Sequence, residues 1–133
     1  LILRATAALY IYAAEQNDAK KAALEALGAT VVYLRNDDGK VDLAAMLDDL
    51  GTRGINELHV EAGEKLNGSL IRAGLVDEFL VYLAPQLIGQ GRGMAQLGPL
   101  ERLCDAVPLA FMSTTMVGPD LRIVACIPGR DQF

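Results

Sequence analysis

Between residues 8 and 85 the chain alternates strand-length apolar runs with stretches of helical pattern, and this alternation restricts the available folds more than any single residue does. Residues 8–14 (Ala-Leu-Tyr-Ile-Tyr-Ala-Ala) form the first run. Asn17 or Asp18 can then cap a helix by accepting backbone N–H bonds, good helix formers fill 20–27, and Gly28 suits the position that ends it. Residues 30–34 (Thr-Val-Val-Tyr-Leu) are rich in β-branched side chains and predict a second strand, followed by the turn sequence Asn36-Asp37-Asp38-Gly39. Asp42 next precedes Leu43, Met46, Leu47 and Leu50, which recur with helical spacing. A third strand is expected at 58–61, a short helix at 66–73 and a fourth strand at 78–84, stopped by Pro85. The order βαβαβαβ predicts an α/β fold with a mainly parallel sheet and covering helices. Beyond a Gly-rich loop at 89–93 and a helical turn or two within 99–107, the runs 109–117 and 121–127 flank Gly118-Pro119-Asp120. They predict a C-terminal antiparallel hairpin.

Composition matters for what such a fold must cover. Hydrophobic residues make up 52% of the 133. A domain of this size buries only about two-thirds of its surface. The chain is therefore expected either to pack against a partner or to be a segment of a longer folded polypeptide, a reading that Leu1 in place of Met also suggests. The net charge of −5, with no cluster of basic residues, argues against nucleic acid and anionic membranes as partners. The apolar stretch at 5–14 is about half of what a spanning helix needs. Cys104 and Cys126 belong to no C-x-x-C pair and are expected to pack as small hydrophobes in a reducing, cytoplasmic setting. No metal site is indicated.

The stretch best suited to chemistry runs from 57 to 85. A strand ending at Glu61 delivers Ala62-Gly63 into a helix containing Asn67, Gly68 and Ser69. Unpaired N–H groups and the dipole at a helix N-terminus favour an anion, Gly63 lets one approach the backbone, and Lys65 and Ser69 can donate further bonds. A βα turn with glycine for steric reasons alone is the competing interpretation. His59 alternates with Leu58 and Val60 and is expected on the strand surface. Arg92, in the Gly-rich loop, can meet a phosphate.

Val60-Glu61-Ala62-Gly63, then Leu66-Asn67-Gly68-Ser69-Leu70, then Ala73-Gly74-Leu75-Val76-Asp77-Glu78 and Tyr82-Leu83-Ala84-Pro85 form an ordered series. It continues through Leu87-Ile88-Gly89 to Val117-Gly118-Pro119-Asp120. This series resembles the reductase domain of the bacterial riboflavin biosynthesis protein RibD family over roughly residues 55–127. The resemblance implies a dihydrofolate-reductase-like fold, NADPH as cofactor, and reduction of the ribosyl group of 5-amino-6-(5-phosphoribosylamino)uracil to ribityl. It makes Glu61 a substrate-contacting carboxylate, with a strand-end residue that caps the next turn as the alternative. It makes Gly63, Glu64, Lys65, Leu66, Asn67, Gly68 and Ser69 the NADPH-binding turn. Where the family commonly has a Gly-Pro-Thr type sequence, this chain has Gly63-Glu64-Lys65, and Glu64 would oppose a nearby phosphate unless it turned away. Asp77 and Glu78 are expected to fix the helix-to-strand turn.

The resemblance also implies a homodimer, with the 109–127 hairpin as candidate interface, and a possible N-terminal deaminase domain in a parent chain. The deaminase's H-x-E and P-C-x-x-C patterns do not occur here. Residues 1–133 are expected to be the C-terminal portion of one reductase domain whose N-terminal part lies elsewhere, so that the chain alone turns over weakly or not at all. A non-catalytic nucleotide-binding or subunit-association module of the same fold is the alternative. An unrelated dinucleotide-binding enzyme is disfavoured, because Glu15-Gln16-Asn17 after the first strand is no Gly-rich phosphate loop.

Overall fold

A computed structural model describes residues 7–130, so that Ala5 and Thr6 of the first apolar stretch lie outside the described residues. The chain divides into two compact units, one ending at His59 and the other beginning at Val60.

In the first unit, β1 (Leu9–Ala13) pairs in parallel with β2 (Ala29–Tyr33), with Leu9 opposite Ala29 and Ala13 opposite Tyr33. The crossover between them is α1 (Asp18–Glu25), whose first turn is closed by the Asn17 side chain accepting from the Lys20 N–H at 2.9 Å. α2 (Leu43–Thr52) starts in the same way, with Asp42 accepting from the Ala45 N–H at 3.0 Å. Ala29, Val31 and Leu50 are the buried apolar residues of this unit. A polar staple joins α2 to β1: Asp49 accepts from the Tyr12 hydroxyl at 2.7 Å and takes two bonds from Arg53, at 2.7 and 3.1 Å. The Arg53 guanidinium also lies 4.7 Å from the centre of the Tyr10 ring.

In the second unit, α3 (Glu64–Arg72) leads to a three-stranded sheet ordered β3 (Glu78–Leu83), β5 (Asp120–Cys126), β4 (Ala110–Val117). The β4–β5 pair is the expected antiparallel hairpin. Gly118 takes φ +60° and Pro119 keeps the next φ negative, which suits a two-residue II′ turn. Strand alternation puts Phe79 and Val81 on one face, where they line an apolar cavity of about 160 Å³ together with Ile71 of α3 and residues from segment 94–109. Leu70, Ala125 and Cys126 are the buried apolar residues of this unit.

Three expectations are corrected. Residues 58–61 join no ladder among the described residues, and Leu58 and Val60 are 44% and 42% exposed. A strand needs a neighbour to satisfy its backbone, and apolar patterning does not supply one. The sheet is not mainly parallel among the described residues: only β1 and β2 pair in parallel, whereas β3 runs antiparallel to β5, with Glu78 opposite Cys126 and Leu83 opposite Leu121. The βαβ order predicts crossovers but does not say which strand becomes the neighbour. Cys104 is exposed in a short 3₁₀ turn (Leu103–Asp105), whereas Cys126 is buried as expected, and both are free thiols. Among the described residues no helix is long and apolar enough to cross a membrane, and no group of His, Cys, Asp and Glu is placed to hold a metal ion.

The staple predicts a pH signature. Hydrogen bonds from Arg53 and then Tyr12 hold the Asp49 carboxyl below its usual range. A carboxyl depressed in the folded state stabilises above its unfolded pKa, and that contribution disappears as pH falls through the folded value. Asp49→Asn should lower Tm at pH 7, and the gap to the unsubstituted chain should close as pH is taken from about 4 towards 2. Thermal melts across that window check it; a gap independent of pH would show that the charge of Asp49 does not matter.

Candidate functional site

The segment read as the best candidate for chemistry, 57–85, lies in the second unit from Val60 onward, with its first three residues at the end of the first. Gly63 is the N-cap of α3, with φ −79° and ψ 167°, and offers no side-chain bond to the first turn. The opening N–H groups of a helix have no partner inside it. Here the N-cap is a glycine with no side chain to offer them, and nothing lies within 4 Å of where a Gly63 Cβ would stand. Helix α3 therefore begins two residues earlier than its apolar pattern predicts, which places Glu64 and Lys65 in the first turn. Glu61, two residues before the cap, is exposed.

A second segment closes against α3 from one side. The Gln96 N–H donates to the Glu64 carbonyl at 2.8 Å, and the Gly93 N–H donates to the Glu64 carboxylate at 3.0 Å. Glu64 therefore does turn from the open face of the turn towards the Gly-rich loop. The Asn67 amide donates to the Ala62 carbonyl at 3.2 Å and to the Met94 carbonyl at 2.9 Å. Carbonyls only accept, so both contacts require the amide nitrogen, and they use both of its hydrogens. Arg72 donates to the Gln96 carbonyl and, at 3.2 Å, to the Ser69 hydroxyl.

Gly68 explains how the segment comes so close. It is buried, and a Cβ added there would stand 2.9 Å from the Gln96 nitrogen, 2.6 Å from its carbonyl carbon and closer still to its oxygen. The backbone of the 93–97 segment occupies the space a side chain would take. Ser69 completes the group by donating to the Lys65 carbonyl at 3.0 Å.

The residues expected in the nucleotide turn thus divide into two sets. Gly63, Lys65 and Leu66 leave the start of α3 accessible, with Lys65 and Leu66 exposed. Glu64, Asn67, Gly68 and Ser69 instead hold α3 to itself or to the neighbouring segment. The importance of the 93–97 segment was missed in the sequence because its contacts are made by backbone atoms. The Gly-rich loop that precedes it, with exposed Arg92, is brought beside the first turn of α3. Asp77 lies in the link to β3, where its carboxylate accepts from Arg130 at 3.4 Å, while Glu78 opens β3. His59 falls at the end of the first unit, exposed in a stretch without regular secondary structure.

A family model described as RibD C-terminal domain matches residues 1–123. The chain belongs to this family. It is 46% identical over 84 residues to riboflavin biosynthesis protein RibD of Escherichia coli strain K12, a match covering 62% of this chain and 23% of that protein. It is 33% identical over 92 residues to the 2,5-diamino-6-ribosylamino-4(3H)-pyrimidinone 5′-phosphate reductase of Methanothermobacter thermautotrophicus, covering 68% of this chain and 43% of the relative. The solved structure of Acinetobacter baumannii RibD superposes with a TM-score of 0.73 over 88% of this chain and 30% of that one, at 21% identity, which is a likeness of fold. The chain therefore spans from about a quarter to less than half of the length of these curated RibD-family relatives.

Gly68→Ala separates two opposing effects. Alanine in a helix interior gains about 0.5–1 kcal/mol over glycine. Forcing a methyl group into packed backbone costs about 1–3 kcal/mol. The clash with Gln96 should win, and the denaturant midpoint should fall; a rise would mean that the segment is not held against α3.

Proposed function

We propose that this chain supplies the C-terminal, cofactor-holding portion of an NADPH-dependent reductase that converts the ribosyl group of 5-amino-6-(5-phosphoribosylamino)uracil to ribityl in riboflavin biosynthesis. Membership of the RibD C-terminal domain family and the names of the relatives support this reading. The observation that carries it is the start of α3, where the Gly63 turn is open, has a glycine at its cap and begins a run of helical backbone N–H groups. A dinucleotide phosphate fits such a place, since the N–H groups and the helix dipole both favour an anion.

Bound NADPH supplies the hydride for reduction at the sugar C1′. The chain's own residues bind and orient. The Gly63 turn and the first N–H groups of α3 hold a cofactor phosphate, with the Lys65 ammonium in reach of it. Glu64, held by the Gly93 N–H, keeps its charge on the loop side. The Glu61 carboxylate accepts hydrogen bonds from sugar hydroxyls or uracil N–H groups, which fixes the substrate relative to the cofactor.

On this reading the complete domain is dihydrofolate-reductase-like. The exposed Leu58 and Val60 support further strands from outside this segment. The protein acts in the cytoplasm as a homodimer, with the exposed β4 hairpin, where Phe111 is 71% accessible, as the candidate interface. The greater length of the RibD relatives supports a further domain in the parent chain, for which a deaminase is the candidate.

Fluorescence titration with NADPH tests the site. Gly63→Val should weaken binding about ten-fold or more by blocking backbone approach, while Glu61→Gln should leave NADPH affinity unchanged. With chemically prepared substrate the isolated chain should oxidise NADPH slowly or not at all. Unaltered binding by Gly63→Val would refute the cofactor turn, and rapid turnover by the chain alone would refute its status as a partial domain.

A further inference from the structure

We propose that Asn67 is a positioning residue: its amide fastens the 93–97 segment to the start of α3 and thereby sets the width of the nucleotide turn, without touching the cofactor. The inference rests on the cofactor reading above and assigns a different role to one residue of that turn.

Three features point the same way. Asn67 uses both amide hydrogens on carbonyls from two separate stretches, Ala62 before the helix and Met94 after the Gly-rich loop. No donor remains for a ligand. The residues on either side of Met94 are tied to the same helix turn, because the Gly93 N–H and the Gln96 N–H both bond to Glu64. Gly68 then lets the Gln96 backbone pack where a side chain would stand. Asn67 is thus the one side chain among these contacts that spans the entry to α3 and the segment beside it. Removing it frees Ala62 and Met94 together, which loosens the turn on the side where Glu64 is held. Gly93 and its exposed neighbour Arg92 would then no longer keep a fixed position beside the first N–H groups of α3.

Amide hydrogen exchange and NADPH titration of the same variants test this. Asn67→Ala should speed exchange of the Gly93 and Gln96 amides by about ten-fold, the order of one net hydrogen bond. It should also raise the NADPH dissociation constant several-fold while far-UV circular dichroism stays unchanged. Asn67→Gln, which keeps two amide hydrogens, should recover part of both effects. Asn17→Ala removes a helix cap in the other unit and should cost stability of similar size while leaving both readouts where they were. If Asn67→Ala fails to fold, Asn67→Gln alone decides, because its longer side chain should still displace the segment measurably.

Unchanged exchange at Gly93 and Gln96 would overturn the fastening. Faster exchange with unchanged NADPH affinity would overturn the positioning role. If the unsubstituted chain binds no NADPH, the cofactor reading fails and the positioning role with it, whereas the exchange data still judge the fastening on its own.

Discussion

The backbone of Gln96 rests on α3 at a point where only hydrogen fits, and the candidate site is built around that approach. Without a Cβ at Gly68, the 93–97 segment comes near enough for Glu64, Asn67 and Arg72 each to bond to it. Each bond is of the ordinary kind, contributing about 1 kcal/mol net. What makes them collectively specific is that they converge on two turns of one helix. The segment has little regular structure of its own, so these bonds and the apolar contacts of Met94, Ala95 and Leu97 around the cavity give it a position.

This changes how the Asn67-Gly68-Ser69 motif is understood. From the order of residues it looks like a set of ligand donors. In the structure the asparagine braces two backbones, the glycine makes room for a third, and the serine bonds back to its own helix. The part left accessible is the earlier one, from Gly63 to Leu66, where the proposed cofactor phosphate would meet backbone N–H groups. A Glu64 carboxylate beside an anion site would be unfavourable if it faced the anion. Held by the Gly93 N–H, it instead complements the positive end of the α3 dipole from the loop side.

Local features were the most legible in the sequence. Asn17-Asp18 and Asp42 mark two helix starts because a short side-chain acceptor next to helical periodicity has few other uses, and the structure assigns the first cap to Asn17. Gly118-Pro119 identifies the hairpin because its backbone angles suit so few turns. The ordered motifs from Val60 to Asp120 were sufficient to recognise the family. Features that depend on distant partners were not legible. Residues 58–61 have the pattern of a strand but no ladder among the described residues, and the antiparallel neighbour of β3 lies some forty positions along the chain. Asp49 and Arg53 have the i,i+4 spacing of a helical ion pair, but the Tyr12–Asp49 bond across 37 positions carries no motif, and Cys104 is exposed by a turn that hydrophobicity does not reveal. The surplus of apolar residues has a visible counterpart in exposed Leu58, Val60 and Phe111, which the proposed function assigns to further strands and a second subunit.

In the proposed function the accessible start of α3, bounded by the 93–97 segment, receives the cofactor. The most direct test is a backbone amide NMR titration of the chain with NADPH. The amides of Glu64, Lys65, Leu66 and Gly93 should shift together and saturate at one dissociation constant. Saturable shifts that spare the start of α3, or no shifts at all, would contradict it.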